Sequence, residues 1–79
     1  QIALVDPKII VCLGRISATS LISPDFRITR EHGQWYESNG RRIIATYHPS
    51  ALLRDASKRP EAFMDFREIR RVLREMKQE

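Results

Sequence analysis

Two short apolar runs constrain the fold of this 79-residue chain more than any other feature. Residues 8–13 are apolar after the first position and stop at Gly14, a pattern typical of a parallel strand that is covered on both faces. Residues 43–47 are β-branched, aromatic or small, and they stop at His48 and Pro49, where the missing N–H prevents the strand from continuing. A short helical pattern over residues 15–22 follows the first run. The order strand, helix, strand predicts an α/β fold with a crossover connection that places Gly14 and His48 at one rim of a sheet.

The remaining segments add a hairpin and a long helix to this core. Asn39 and Gly40 separate two β-prone runs, residues 34–37 and 41–47, which predicts an antiparallel hairpin. Residues 60–77 are predicted to be helical, with Pro60 in the first turn. Two sets of apolar side chains are predicted to be buried, one on each helix: Ile16, Ala18, Leu21 and Ile22 on the first, and Phe63, Phe66, Ile69, Val72, Leu73 and Met76 on the second. Residues 1–6 resemble the end of an amphipathic helix.

Length and composition limit the class of protein. A chain of 79 residues forms at most one domain with a small core. The chain starts without Met, so we expect it to be a piece of a longer protein. No apolar run approaches the roughly 20 residues that span a bilayer, and nothing resembles a signal peptide. The single cysteine, Cys12, lies inside the first apolar run, which predicts a buried role and a reducing compartment and excludes an internal disulfide.

The positive charge of the chain is concentrated in its middle. The formal net charge is +4, and residues 25–59 hold seven basic against four acidic side chains. A basic region around a titratable imidazole favours a polyanionic partner such as nucleic acid. The alternative, ordinary solvated charges on a hairpin and a loop, explains the charge alone equally well.

His48 is the strongest candidate for chemistry, because it ends a strand at the rim where open α/β sheets bind ligands. An uncharged imidazole can donate an N–H to an oxygen that becomes anionic in a transition state. Ser50 offers a hydroxyl to a phosphate, and Leu52 is an apolar side chain that could enter a base stack. Packing of Leu52 and Leu53 under the loop is the alternative. A Ser/His/Asp triad and a metal site are disfavoured by spacing, and His32 is predicted to be a surface residue.

Three blocks in this order resemble the carboxy-terminal part of the iron–sulfur uracil-DNA glycosylases of bacteria and archaea. The blocks are DPKIIVCLG (residues 6–14), ITREHGQWY (residues 28–36) and YHPSALLR (residues 47–54). The resemblance implies a three-layer α/β/α fold, of which this chain is a part with parallel strands, one hairpin and a C-terminal helix. It also implies uracil-containing DNA as substrate, base flipping, and hydrolysis of the N-glycosidic bond.

The resemblance also implies roles for individual residues. His48 would stabilise negative charge on the departing uracil, Ser50 would hold a phosphate, and Leu52 would fill the space left by the flipped nucleotide. Pro49 and Gly14 would shape the turns that position these groups. Backbone contacts would come from a set of arginines that affect affinity but do not read sequence: Arg54, Arg30, Arg41 and Arg42.

Part of the family's machinery is missing from the chain. The Gly-Glu-x-Pro-Gly-like loop that positions the attacking water does not occur, and the four cysteines that bind the 4Fe-4S cluster normally lie upstream of this region. We therefore expect residues 1–79 to be the C-terminal portion of a single glycosylase domain, without a cluster or metal of its own and with little activity alone. The upstream remainder is the expected partner, in a bacterial or archaeal cytoplasm, and the cut sheet edge could drive self-association. The alternative function is a non-catalytic basic module that binds nucleic acid.

Overall fold

A computed structural model describes the backbone of residues 2–6 and 8–77 and the side chains of residues 8–77. Within these residues, strands β1 to β4 form one mixed sheet, and helices α1 to α4 flank it. The strands are β1 (Ile2–Asp6), β2 (Ile9–Leu13), β3 (Trp35–Ser38) and β4 (Arg41–Thr46). The helices are α1 (Arg15–Leu21), α2 (Ile28–Glu31), α3 (Pro49–Arg54) and α4 (Arg59–Lys77), and a 3₁₀ turn (Ala56–Lys58) precedes α4.

The two apolar runs pair in parallel at the centre of the sheet, as predicted. The strand order is β1-β2-β4-β3, and Leu13 at the end of β2 pairs with Thr46 at the end of β4. The carboxyl ends of both central strands therefore meet at one rim. This is the rim at which the sequence analysis placed Gly14 and His48.

Side chains alternate between the two faces of the central strands and build a core on each. Ile10 and Cys12 pack with Ala18 of α1 and with Phe26, whereas Ile9 and Val11 pack under α4. The sheet is thus covered on both faces, which confirms the predicted three-layer α/β/α arrangement for this part of the fold.

The hairpin forms at the predicted turn. Asn39 and Gly40 have positive φ angles of 53° and 76°, as a type I′ turn requires, and Ser38 pairs with Arg41 on either side of them. β4 ends at Thr46, two residues before His48, and His48 caps the amino end of α3. The segment after His48, predicted to be a loop, is therefore a short helix.

The predicted C-terminal helix is confirmed, but two members of its predicted apolar stripe are not buried. Phe63 is 64% exposed and Phe66 44% exposed. The helix turns 100° per residue, so its buried face is centred instead on Ala62, Asp65, Ile69 and Val72. The phenylalanines occupy the neighbouring flank.

Two further predictions are wrong. Residues 2–6 form β1 rather than a helix, because an antiparallel strand satisfies the open edge of β2, while Gln1 and Pro7 lie outside the described residues. On α1, Ile16 is 78% and Leu21 37% exposed, since the small side chains of Ser17 and Ala18 face the sheet instead. No helix of the described residues is both long and apolar enough to cross a bilayer.

Candidate active site

An open groove of about 580 Å³ lies where the ends of β2 and β4 meet. Its lining includes Gly14 and Arg15 from the turn after β2, and His48, Ser50 and Arg54 from the segment after β4. The groove therefore brings together five residues that are widely separated in the sequence. Both cations, Arg15 and Arg54, are exposed at its surface.

Gly14 allows the two strand ends to approach closely. Its N–H donates to the carbonyl of Thr46 over 2.9 Å, and its φ angle of +92° lies in the region that favours glycine. A Cβ at this position would lie 3.2 Å from the Cβ of His48. A side chain at residue 14 would thus press on the imidazole that lines the groove.

The hydrogen bonds of His48 assign its tautomer. The backbone N–H of Ser50 donates to Nδ1 over 3.1 Å, and the Ser50 hydroxyl lies 2.8 Å from the same nitrogen. An acceptor at Nδ1 requires the ring hydrogen to be on Nε2. None of the described residues hydrogen-bonds to Nε2, so the N–H there is available to a ligand.

The residues that follow His48 are exposed or half-buried. Pro49 occupies the first position of α3. The Ser50 hydroxyl is exposed but lies within hydrogen-bond distance of Nδ1 of His48. Leu52 is half-buried and does not line the groove, whereas Leu53 is 79% exposed, which contradicts the alternative that both leucines pack under the loop.

The structure separates the other predicted arginines from this groove. Arg41 and Arg42 begin β4 at the hairpin end, and with about 3.3 Å per strand residue they lie roughly 20 Å from His48. Arg30 is exposed on α2, two residues after the groove residue Ile28, and does not line the groove. Of the predicted backbone contacts, Arg54 alone is in the groove.

Arg15 and a buried polar cluster behind the groove are not among the residues predicted from the sequence. Arg15 directly follows Gly14, so the pattern that predicts Gly14 at the rim also predicts Arg15 there. In the cluster, His32 lies 2.7 Å through Nδ1 from Asp65, and its side chain is only 15% exposed, which corrects its assignment as a surface residue. The sequence feature that points to this cluster is Asp65, because a carboxylate on the buried face of α4 needs hydrogen-bond donors around it.

Tyr47 connects this cluster to His48. Its hydroxyl donates to Glu61 over 3.1 Å, and its ring lies 4.9 Å from that of His32. Burial, followed by the hydrogen bond to Glu61 and the negative charges nearby, raises the pKa of Tyr47 to about 12. The phenol is therefore held in its neutral form.

The chain does not fit the four-thiolate site that an iron–sulfur cluster needs. Cys12 is the single cysteine of the sequence, and it is fully buried in the core between β2 and α1. Burial raises the pKa of its thiol, which disfavours the thiolate that binds metal. No group of three or more potential metal-binding side chains occurs among the described residues.

Comparison with known proteins decides the family. Residues 1–74 match the model of the uracil DNA glycosylase superfamily. The chain belongs to the uracil DNA glycosylase superfamily. It is also similar to the type-4 uracil-DNA glycosylase of Archaeoglobus fulgidus, with 38% identity over 77 residues. That match covers 87% of this chain but 39% of the relative, so the chain spans well under half the length of that glycosylase.

Membership of the superfamily agrees with the α/β fold of the described residues. The glycosylase match includes β2, the hairpin, α3 and most of α4, which are the elements that form and support the groove. The similarity therefore applies to nearly all of the described residues and not to one short motif.

Proposed function

We propose that this chain supplies the anion-stabilising part of a uracil-DNA glycosylase, an enzyme that hydrolyses the N-glycosidic bond of uracil in DNA. The observation that carries the proposal is the hydrogen bond from the Ser50 N–H to Nδ1 of His48. It leaves Nε2–H as a donor at the open groove. A donor placed where charge develops stabilises the transition state, since it needs no reorganisation during the reaction.

In the proposed reaction the uracil is flipped out of the duplex, the C–N bond breaks, and the bonding electrons move onto the base. Nε2–H of His48 donates to the uracil oxygen that gains this charge. Water must then attack the sugar carbon, and the chain contains no Gly-Glu-x-Pro-Gly-like loop to position it. We therefore assign water activation to residues outside this chain and expect little uracil release from residues 1–79 alone.

The remaining roles are proposals about DNA contacts. Arg54 at the groove would neutralise a phosphate, and Arg15, which also lines the groove, would do the same. Ser50 would contact a phosphate only through a lone pair or after its hydroxyl leaves Nδ1. Leu52 is proposed to fill the space of the flipped nucleotide. Because Arg41 and Arg42 lie at the far end of β4, they would touch DNA outside the groove.

We propose that the remainder of a longer glycosylase domain is the main protein partner of these residues. The flank of α4 with Phe63, Met64 and Phe66 is exposed, and β1 and β3 leave open sheet edges. Exposed apolar flanks and open edges also favour self-association when nothing covers them. We further propose that a cluster in such a domain is bound by cysteines other than Cys12.

Release of uracil from single-stranded DNA and from a U·G duplex tests the function. We expect the intact protein to release uracil and residues 1–79 to bind the DNA without comparable turnover. Turnover by residues 1–79 equal to that of the intact protein would contradict the division of the active site. DNA binding without excision by the intact protein would favour the alternative, a non-catalytic nucleic-acid-binding module.

A further inference from the structure

Helix α4 directs two carboxylates, one turn apart, at the two residues that precede His48. Oδ2 of Asp65 accepts a hydrogen bond from the Thr46 hydroxyl over 2.6 Å, and Oε2 of Glu61 accepts one from the Tyr47 hydroxyl over 3.1 Å. Thr46 is fully buried and Asp65 is 6% exposed. The end of β4 is therefore joined to α4 by side chains and not only by apolar packing.

His32 lies between the two carboxylates. Its Nδ1 is 2.7 Å from Oδ2 of Asp65, and its Nε2 is 3.6 Å from Oε2 of Glu61. A buried carboxylate is costly unless donors surround it. With the Thr46 hydroxyl and the His32 ring, Oδ2 of Asp65 has two donors, so the burial of Asp65 is compensated.

The backbone around Asp65 is shaped to its carboxylate. The Gly33 N–H donates to the carbonyl of Ala45 over 2.9 Å, which brings the turn after α2 against β4. A Cβ on Gly33 would collide with Oδ1 of Asp65. The space for the carboxylate exists because residue 33 has no side chain.

Thr46 is held from two directions at once. Its carbonyl accepts the N–H of Gly14 from the turn after β2, and its hydroxyl donates to Asp65 of α4. Strand pairing alone would fix the position of the Thr46 backbone relative to β2. Rotation of the end of β4 about the strand axis would then be restrained by apolar packing only. The hydroxyl adds the missing restraint, since a hydrogen bond to a charged group is short and directional.

We propose that Thr46 and Asp65 form a positioning pair that sets the orientation of the His48 imidazole at the groove. The inference rests on the proposed function of His48 and adds to it residues that touch no substrate. A fully satisfied polar network specifies one arrangement of the groups it joins. A buried carboxylate with its hydrogen-bond donors contributes little net stability compared with apolar residues of similar volume, so net stability alone does not explain the choice of Thr46 and Asp65.

The test compares Thr46→Val, which keeps the shape and removes the hydroxyl, with Thr46→Ser, which keeps the hydroxyl. Both are made in the intact protein, together with Asp65→Asn and the matched exposed control Asp25→Asn. We expect Thr46→Val to lower kcat for uracil release about 10- to 100-fold, with little change in KM, because a small misplacement of a catalytic group has effects of this size. Thr46→Ser and Asp25→Asn should keep most of the activity.

A spectroscopic readout separates this inference from the proposed function. In the folded wild type, ¹⁵N shifts of the His48 ring should show an acceptor Nδ1 and a protonated Nε2, and Thr46→Val should shift or broaden these signals. Melting temperatures identify variants that merely unfold. If Thr46→Val unfolds, the positioning role is judged from Thr46→Ser, which keeps the hydroxyl and should keep the His48 ring signals and kcat. A Thr46→Val protein that folds with unchanged His48 signals and unchanged kcat overturns the positioning role. If His48 substitution leaves excision intact while Thr46→Val alters the ring signals, the proposed function fails and the positioning role stands.

Discussion

The two histidines of the chain stand in opposite surroundings. His48 is half-buried at the rim of the sheet, its Nδ1 accepts from Ser50, and no described residue bonds its Nε2. His32 lies behind the rim, and both of its ring nitrogens face carboxylates, Asp65 at 2.7 Å and Glu61 at 3.6 Å. The Ser50 N–H donates to Nδ1 of His48, so the ring hydrogen of His48 is on Nε2. Nδ1 of His32 faces the acceptor oxygen of Asp65, so its ring hydrogen is on Nδ1.

The difference shows that the partner at Nδ1 decides what an imidazole can do. The Ser50 N–H leaves His48 with a donor at Nε2 that none of the described residues uses, and His48 lines the same open groove as Arg54. Asp65 uses the Nδ1–H donor of His32 for the interior of the protein. If His48 has the proposed role, the same residue type acts on a ligand at one place and supports the fold at the other, and substitutions of the two should have opposite profiles.

The largest expected effect is that substitution of His48 lowers the rate of uracil release and leaves stability nearly unchanged, whereas substitution of His32 lowers stability. His48→Asn in the intact protein should lower the rate of uracil release about 10²- to 10³-fold, as expected when one preorganised donor is lost. Its stability should change little, because Asn also caps a helix well. His32→Ala should instead lower the free energy of unfolding by about 1–3 kcal/mol, since Asp65 loses one of its two donors. Single-turnover kinetics and urea unfolding measure the two quantities.

Controls for these substitutions come from the same chain. His48→Gln, which keeps a polar side chain but caps poorly, separates the loss of the cap from the loss of the imidazole. An unchanged excision rate in His48→Asn would remove the basis of the proposed chemistry. An unchanged stability in His32→Ala would mean that Asp65 is satisfied without the ring.

The contrast also marks what the sequence could and could not predict. The rim was predictable, because an apolar run that stops at Gly14 or at His48 and Pro49 is a local pattern. The hairpin was equally local, since Asn39 and Gly40 specify their turn by themselves. The His32 cluster was not, because it joins residues 33 positions apart, and no local pattern pairs His32 with Asp65.

The wrong predictions about which side chains are buried also arise because tertiary contacts are not encoded in local patterns. Helical spacing predicts α4 but not which part of its apolar surface meets the sheet, so the predicted burial of Phe63 and Phe66 is wrong. The strand β1 depends on an open edge of β2, which is a tertiary feature. Arg41 and Arg42 looked close to His48 in sequence, although an extended strand carries them away from it.

A second comparison, between Arg54 at the groove and Arg41 at the hairpin, should give a smaller effect. Arg54→Ala should weaken binding to uracil-containing DNA about 10-fold, as for the loss of one hydrogen bond to a charged group. It should also reduce the slope of log K against log salt by about 0.9, the value for one phosphate. Arg41→Ala should change both less. Fluorescence anisotropy at several salt concentrations measures these changes, and equal effects of the two substitutions would place the DNA contact outside the groove.

The smallest expected effect is the pH dependence that Tyr47 gives to stability. Burial and the hydrogen bond to Glu61 raise the pKa of Tyr47 from 10.0 to about 12 in the folded protein. A raised pKa means that the folded state holds the proton more tightly than the unfolded state. The stabilisation is therefore complete below pH 10 and is lost as the pH rises from 10 towards 12.

Tyr47→Phe isolates this contribution from other groups that titrate at high pH. At pH 7 the variant should lose about 1 kcal/mol of unfolding free energy, the usual value of one hydrogen bond. The difference between wild type and variant should then shrink between pH 10 and pH 12. Glu61→Gln keeps an acceptor for the phenol but removes the charge, which lowers the folded-state pKa of Tyr47, so the loss should still begin at pH 10 but end closer to it. A difference that stays constant across this range would show that Tyr47 contributes packing alone, and that α4 holds the end of β4 through Asp65 and Thr46 without help from Glu61.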